Sequence, residues 1–576
     1  MNSKEYLDTV GNIIQKVSKI SITVLTFIFA TFIFCQSMFG RVVLNDREHI
    51  YFLEESAWKN IGMIVFILFI GAIVKIGIHK KQKVIPMPSD RFLKIVTWVY
   101  VICLAIFLIM MQAEPRADQK FVLECATKLL SGDYSPWNIG GYCYQYPHQN
   151  GLVLFLTFLF SIFGNGNWLI VQFLNIPALC AIAYFTSKMV ELLFEDKKLS
   201  RYLYLVLLAF FPMNCYVTFV YGTLFGLCVS MIGIYLVMRF IKQSHIIYGF
   251  IGISLVVLGH GFKSNYLIFF VGTMLIILYD MIVRRKRLSA LLLCYGVLFY
   301  MVFGMLISSA IHHYTGFSAN QGIPTKSWIT MGLQEGKRGP GWYNGYVVKV
   351  FRHNHYDTEK TEEVVEQQLS DRMQELLEDK SYAIAFFAKK TASQWNDGTF
   401  EGLWINERRK SVVEWQPHLK MLINDGSITN QKLIQMSHDW LHFLWLGVLF
   451  FLILDRKKVD VYQLIFAILF LGGFIFHLFW EAKGQYTLVY AYLLIPYMVR
   501  GYQLFFQTIS RLADKKDKKW YQCIVQNSSV QLLCAIFATV IFIASTNLTW
   551  IDRTLKLSGD EATYQSYIEQ KWQEIQ

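Results

Sequence analysis

The sequence predicts an all-α polytopic membrane protein with about 13 transmembrane helices, the N-terminus in, the C-terminus out, and outward-facing loops. Three observations predict it. Only 16% of the 576 residues are charged while 54% are hydrophobic, against roughly 25% charged in soluble domains, so the chain cannot withdraw its apolar surface from water by folding alone. The apolar residues are gathered into long runs, and a helix needs about 20 of them to cross the hydrocarbon core. Lipid offers the backbone no hydrogen-bond partner, which leaves helices or closed barrels as spanning structures, and runs of this length are helical.

The runs lie near 20–39, 61–78, 93–111, 168–185, 202–216, 219–240, 246–258, 266–283, 291–311, 441–454, 464–479, 486–502 and 530–544. Residues 1–19 carry no small-residue cleavage pattern before a run of spanning length, so the first helix is expected to be retained. The net charge of +13 sits in short segments between runs: 79–83 (HKKQK), 197–201, 239–242, 284–287, 456–458 and 515–519. Cytoplasmic loops concentrate such an excess and acidic headgroups favour it, so basicity here encodes orientation and contact with membrane lipids, not nucleic-acid binding. With the N-terminus inside, run 93–111 exits outward. All later basic clusters then fall inside only if the short apolar piece 151–163 lies in the interface or packs as a partial helix. The expected division is N-terminal helices 1–92, a core 93–311 with a first outer loop 112–150, a large extracytoplasmic segment 312–437, C-terminal helices 438–548 and an outward tail 549–576.

Within the large segment, TGFSANQGIPTKSW and GKRGPGWYNGY are punctuated by Gly, Pro and Asn and read as turns. Val365, Leu369, Met373 and Leu376 then recur at helical spacing between charges, predicting an amphipathic surface helix with Asp357 or Thr358 as N-cap. In the first outer loop, Phe121, Val122, Cys125 and Leu129 make one apolar helix face and Gly132 is positioned to stop it. Asp118 opens that helix on the same face, where a carboxylate is costly unless something pairs with it or uses it. A helix-dipole carboxylate with Arg116 as neighbour is the plain alternative. Burial raises a carboxyl pKa, which suits a general base toward a hydroxyl.

An acidic residue opening a helix just outside an early span, a short helix, GDY-P, the stretch YQYPHQNGL and an apolar run ending in FG together resemble the GT-C superfamily, and more narrowly glycosyltransferase family 39, which includes protein O-mannosyltransferases and aminoarabinose transferases. The resemblance covers roughly residues 113–502. It implies transfer of a sugar from a polyprenyl-phosphate carrier at the outer face of the cell membrane to a glycan, lipid or protein acceptor, with inversion. The family's catalytic Asp falls on Asp118; its Asp-Glu pair is Asp118–Gln119 here, and its Lys-Pro-Pro-Leu-like element is Tyr146–Pro147–His148–Gln149, without the lysine.

Three further constellations point to substrate binding. Lys263 and Asn265 interrupt an apolar stretch at the expected outer end of two spans; the resemblance gives Lys263 the lipid phosphate, and a snorkelling lysine is the alternative. In HLFWEAKGQY, Glu481, Lys483 and Gln485 lie between two apolar helices and Tyr486 opens the second; the resemblance implies a Glu-x-x-x-Arg-Tyr-like element with Gln485 at the arginine position and Lys483 as replacement charge, against a simple Glu–Lys pair closing a tight loop. In 328–344, Trp342 and Arg338, with Lys326 and Lys337 nearby, could stack on sugars and grip phosphates as an acceptor groove or lid, or simply pack a loop.

No Walker or nucleophile-elbow pattern occurs, GNGNW lacks strand context, and the adjacent His312 and His313 without CxxC or HExxH argue against an obligatory zinc. No obligatory cofactor is expected; a divalent ion at Asp118 stays open. Cys125 and Cys143 share the outer loop, and whether they bridge is open. A flippase or transporter of lipid-linked glycans is the non-enzymatic alternative, against which stand the absence of an internal repeat and the gathering of polar residues at one face. A ligase or polymerase of pre-built glycans would share the same outer-face chemistry.

Overall fold

The computed structural model describes residues 3–81, 85–318, 321–407, 410–513, 528–546 and 548–575. The basic cluster 515–519 and the last two positions of 79–83 lie outside the described residues. Among those described, nine helices are long and apolar enough to cross a membrane: Thr9–Phe39, Ala57–Lys80, Asp90–Met111, Trp168–Phe194, Thr223–Gln243, Ser264–Arg284, Arg287–Thr315, Ile428–Leu454 and Tyr462–Phe479. The chain is thus the helical polytopic membrane protein that its composition predicts, with one short hairpin added. Ile428–Leu454 runs through the middle, with 78% of its most apolar window buried, whereas Ala57–Lys80 has 6% buried and turns its sides to lipid.

Three other apolar runs are helices as well: Ile246–Phe262, Gly484–Ala513 and Ser528–Ser545. Ile246–Phe262 lies against Thr223–Gln243 so closely that a Cβ on Gly233 would meet the Gly252 carbonyl oxygen at 2.5 Å, the small-residue contact by which helices pack in lipid. The run 202–216, expected to be one span, is not one: the helix Lys197–Leu208 stops, and Phe211–Cys215 starts afresh with Pro212 in its first turn. Proline lacks the N–H that would continue the upstream helix and its ring clashes with the preceding turn.

The polar segments sort to two ends of the bundle. At one end the basic residues meet: Lys242 pairs with Glu195 at 3.1 Å, Lys198 donates to the Ile85 carbonyl at 2.7 Å, Arg284 and Lys286 both reach the Ile241 carbonyl at 3.1 Å, and Lys19 reaches that of Lys457. At the other end lie the first loop, the 312–437 segment and the tail, tied together by Ile323 N–H to the Gln145 carbonyl at 3.1 Å, an Ala113–Ser411 bridge, and Tyr567 donating to Asp425 at 2.6 Å. A fourth piece joins them: the antiparallel hairpin Gly40–Leu44 and Ile50–Glu54, registered Val42 to Phe52, against which the tail docks through Asp560 on Phe52 N–H at 2.8 Å and Lys571 on Asp46 at 2.9 Å.

Asn150–Phe163 has both its ends at this second end. Gln149 donates to Tyr221 at 2.7 Å, and past the helix Asn165 donates to Ser131 at 3.1 Å. Its 14 residues lie alongside Asp118–Leu130. In that partner helix Val122, Cys125 and Leu129 are buried, but Phe121 is 47% exposed and is not part of the apolar face expected for it. The helix ends at Leu130, and Gly132 follows at φ +78, a conformation open to glycine at little cost. Thr358–Glu378 is the expected surface helix; Asp357 caps it by accepting the Lys360 N–H at 3.0 Å, and Val365 and Leu376 face inward while Met373 does not.

Candidate functional site

The site is built where helix ends converge beneath the polar segments of the second end. The Ile246–Phe262 helix stops at Lys263, whose backbone turns extended before Ser264–Tyr266 starts the next element. That turn sends the Lys263 ammonium to Thr223 Oγ1 at 2.8 Å, with the Tyr221 and Tyr486 rings each 5.3 Å away and the Phe219 ring at 5.9 Å, a cation held in an aromatic box. Lys263, Asn265, Gln485 and Tyr486 line one small cavity with Thr223, and Tyr490 lies on its wall. Four residues singled out from two distant segments of sequence thus meet. Burial brings the Lys263 ammonium down to about 7, Lys483 adds to the fall, and Glu401, Asp118 and Glu481 oppose it.

The turn after Phe479 carries Glu481 and Lys483. Lys390, fully buried, donates to the Leu478 and Trp480 carbonyls at 2.8 Å each and to that of Gly332, satisfying the exposed end of that helix and fastening it to the Lys326–Gly332 helix. Lys483 does not pair with Glu481 as a tight-loop ion pair would. It binds Glu48 at 2.9 Å, and Arg338 grips the same carboxylate. Glu481 approaches the Tyr486 hydroxyl at 3.5 Å instead. Its carboxyl is pushed up to about 7 by burial; Lys483 pulls it down, while Asp118 and Glu48 add to the rise.

Asp118 is open to solvent, yet protein surrounds it on most sides. Its carboxyl is raised above the ordinary range by burial, with Lys483 opposing, Glu48 adding, and the Tyr142 hydroxyl and Lys263 opposing. Arg116 turns away, with its guanidinium 4.1 Å over the Trp404 ring and bonded to the Trp404 carbonyl at 3.1 Å. Ala117, just before Asp118, has φ +50 and ψ −133 and makes no side-chain cap. A non-glycine residue there stores about 1–3 kcal/mol, and such strain gathers at functional sites. Gln119 turns into the fold and accepts the Val220 N–H at 3.1 Å. The carboxylates near Asp118 are therefore Glu48 and Glu481, both distant in sequence, and not its sequence neighbour.

Tyr146 has Asp118, Glu481 and Tyr343 as electrostatic neighbours, and exposed His148 stands edge-on to Trp328 at 5.8 Å. Arg338 is committed to Glu48 and sits 5.7 Å over Tyr343. Trp342 departs from expectation: it is fully buried, its indole N–H donates to Ser393 at 2.9 Å, and it packs with Val42, Leu44 and Ile50, so the hairpin covers it and its ring is core rather than groove. Cys125 and Cys143 are buried free thiols in hydrogen-bond contact. Among the described residues no three His, Cys, Asp or Glu side chains converge as a metal site would need.

Two further carboxylates at the site do not stand out in the sequence. Glu48 sits in a hairpin whose apolar strands look like the edge of the first span. Glu401 accepts the Gly484 N–H at 2.7 Å and the Gln485 N–H at 3.3 Å, its other oxygen is buried without a partner among the described residues, and burial, against Lys483, pushes it up to about 8. The signal for both was a carboxylate among aromatic residues (REHIYFL and WNDGTFEGLW).

Fold and site together define a polytopic integral membrane protein with a buried, charge-rich site at one end of its helices. The chain belongs to a family described as conserved hypothetical integral membrane protein, whose model matches residues 13–499 and so spans every site residue from Glu48 to Tyr486. No curated protein matches it.

Proposed function

We propose that this protein is a membrane glycosyltransferase of the GT-C type that moves a sugar from a polyprenyl-phosphate carrier to an acceptor hydroxyl. The observation that carries the reading is the meeting of Asp118, Lys263, Glu481 and Lys483, drawn from three distant segments, at the end of the bundle away from the basic loops. In this reading that end faces outward from the cell membrane, 93–311 forms the core of the enzyme, and the other segments frame it. A carrier held within the bilayer brings its phosphate to the level where helices end, which is where Lys263 and its amide neighbours lie.

The acceptor oxygen attacks the anomeric carbon as the carbon–oxygen bond to the carrier phosphate breaks. The electron pair leaves with that phosphate, and the hydroxyl proton passes to Asp118. Attack opposite the leaving group inverts the centre. Lys263, whose charge burial weakens, is held charged beside the phosphate and offsets charge as it develops. Glu481 raises the basicity of Asp118 as a like charge. Purified protein in liposomes, supplied with a polyprenyl-phosphate sugar and envelope fractions, should form a new glycoconjugate that the Asp118→Asn variant does not; full transfer by that variant overturns the assignment.

A further inference from the structure

A strip of aromatic rings leads past both carboxylates, and only part of it is explained by packing. Tyr142 and Tyr146 lie 4.9 Å apart, Tyr146 is 6.2 Å from Trp328, and Trp328 stacks on Trp480 at 5.9 Å with 6° between planes. His148 stands at the side of Tyr146 and Trp328, at 6.1 and 5.8 Å. The rings come from the first outer loop, the Lys326–Gly332 helix and the turn before Glu481, and each is only partly buried or exposed.

Three tryptophans elsewhere have their polar edge satisfied inside the fold, whereas the buried indole nitrogens of Trp404 and Trp445 have no partner among the described residues. Trp342 gives its N–H to Ser393, Trp137 to Asn150 and Trp415 to the Met111 carbonyl. Among the described residues, Trp328, Trp480, Tyr146 and His148 have no side-chain hydrogen bond within the fold. A strip that offers apolar faces and uncommitted N–H and O–H groups together suits a ligand with the same two sides, and a sugar ring has apolar C–H faces rimmed by hydroxyls. An isoprenoid chain would leave those donors unsatisfied, at a cost when they are covered.

We propose that Tyr142, Tyr146, Trp328 and Trp480 form a platform on which successive sugar rings of a glycan acceptor lie, ending at Asp118. This names the acceptor class and rests on the glycosyl-transfer reading. Tyr142 is bonded toward Asp118, and Tyr146 has Asp118 and Glu481 as neighbours, so a ring seated on either tyrosine brings a hydroxyl to the carboxylate.

Full-length protein in lipid nanodiscs, labelled and applied to a glycan array, should retain a subset of oligosaccharides, and the Trp328→Ala/Trp480→Ala variant should lose that signal about tenfold, the scale of two lost ring contacts. The Trp328→Phe/Trp480→Phe variant keeps ring faces and should regain part of it. Undecaprenyl phosphate binding, followed on the same samples, should stay within about twofold. Unchanged glycan retention in the Ala variant, or no array binding by wild-type protein that does bind undecaprenyl phosphate, overturns the platform while sparing the transfer reading. Glycan retention without undecaprenyl phosphate binding sinks the transfer reading and spares the platform. Should the double Ala variant fail to fold, Trp328→Leu is read by the same criterion.

Discussion

The two ends of the bundle are both rich in charge, and they use it in opposite ways. At the basic end the partners are complementary and half-exposed: Lys242 meets Glu195, and Arg284 and Lys286 reach the free carbonyl at the close of the Thr223–Gln243 helix, as cations do at helix C-termini. At the other end Asp118 and Glu481 meet as like charges, Lys263 stands near Lys483, and burial drives the pKa values of Asp118, Glu481, Glu401 and Lys263 toward neutrality. Charge density alone therefore says little. Like charges kept together in a poorly hydrated place are what mark a site, because folding alone would have separated or neutralised them.

The difference is broken most directly at Asp118. Asp118→Asn should lower transfer about 10²–10⁴-fold, the range of a lost general base, without lowering the melting temperature, since the replaced carboxyl is held against its own ionisation. Turnover assay and thermal unfolding on one preparation check both halves. Next comes Lys263→Met, which should raise KM for the polyprenyl-phosphate donor about 10–100-fold, as expected for a lost charge-assisted contact. Lys263→Arg should recover part of that if phosphate charge is what matters. A KM equal to wild type in Lys263→Met would return this lysine to an aromatic-boxed snorkel.

Much of this contrast was legible from residue order, for a physical reason. Spans announce themselves because lipid demands about 20 apolar residues in a row, and a charge beside such a run stands out, which is how Asp118, Lys263, Glu481 and Lys483 were found. Glu48 was hidden because five-residue strands beside a span resemble the span. Glu401 was hidden because only the fold brings it to the Gly484 and Gln485 amides. Of the two readings open for Trp342, groove or loop packing, the structure supports packing, because a Gly-rich loop with aromatics looks accessible in sequence until another segment, here the hairpin, covers it. The break near Pro212 shows the limit of counting apolar residues, which ignores backbone chemistry.

The pH profile sharpens the comparison by smaller factors. The proposed transfer would need the Asp118 carboxylate deprotonated, so activity should fall as pH drops through a carboxyl pair raised above the usual range, Glu481 to about 7. It needs Lys263 charged, so activity also falls as pH rises past about 7. kcat/KM should trace a narrow bell near neutrality whose limbs belong to coupled groups. Glu481→Gln removes a like charge from Asp118, so the acid limb should move to lower pH; a limb that stays put would detach Glu481 from the site.

The smallest effect belongs to the basic end. Lys242 and Glu195 are 3.1 Å apart, but their side chains are 35% and 79% exposed, and an ion pair in that setting contributes no more than about 1 kcal/mol because water and salt already screen it. Lys242→Gln should leave transfer within about twofold and shift stability by less than that bound. Any larger loss of transfer would have to pass from the Thr223–Gln243 helix to Thr223 at its other end, the residue that holds Lys263. That result would join the two ends into one functional unit, where the present contrast makes one an anchor and the other a site.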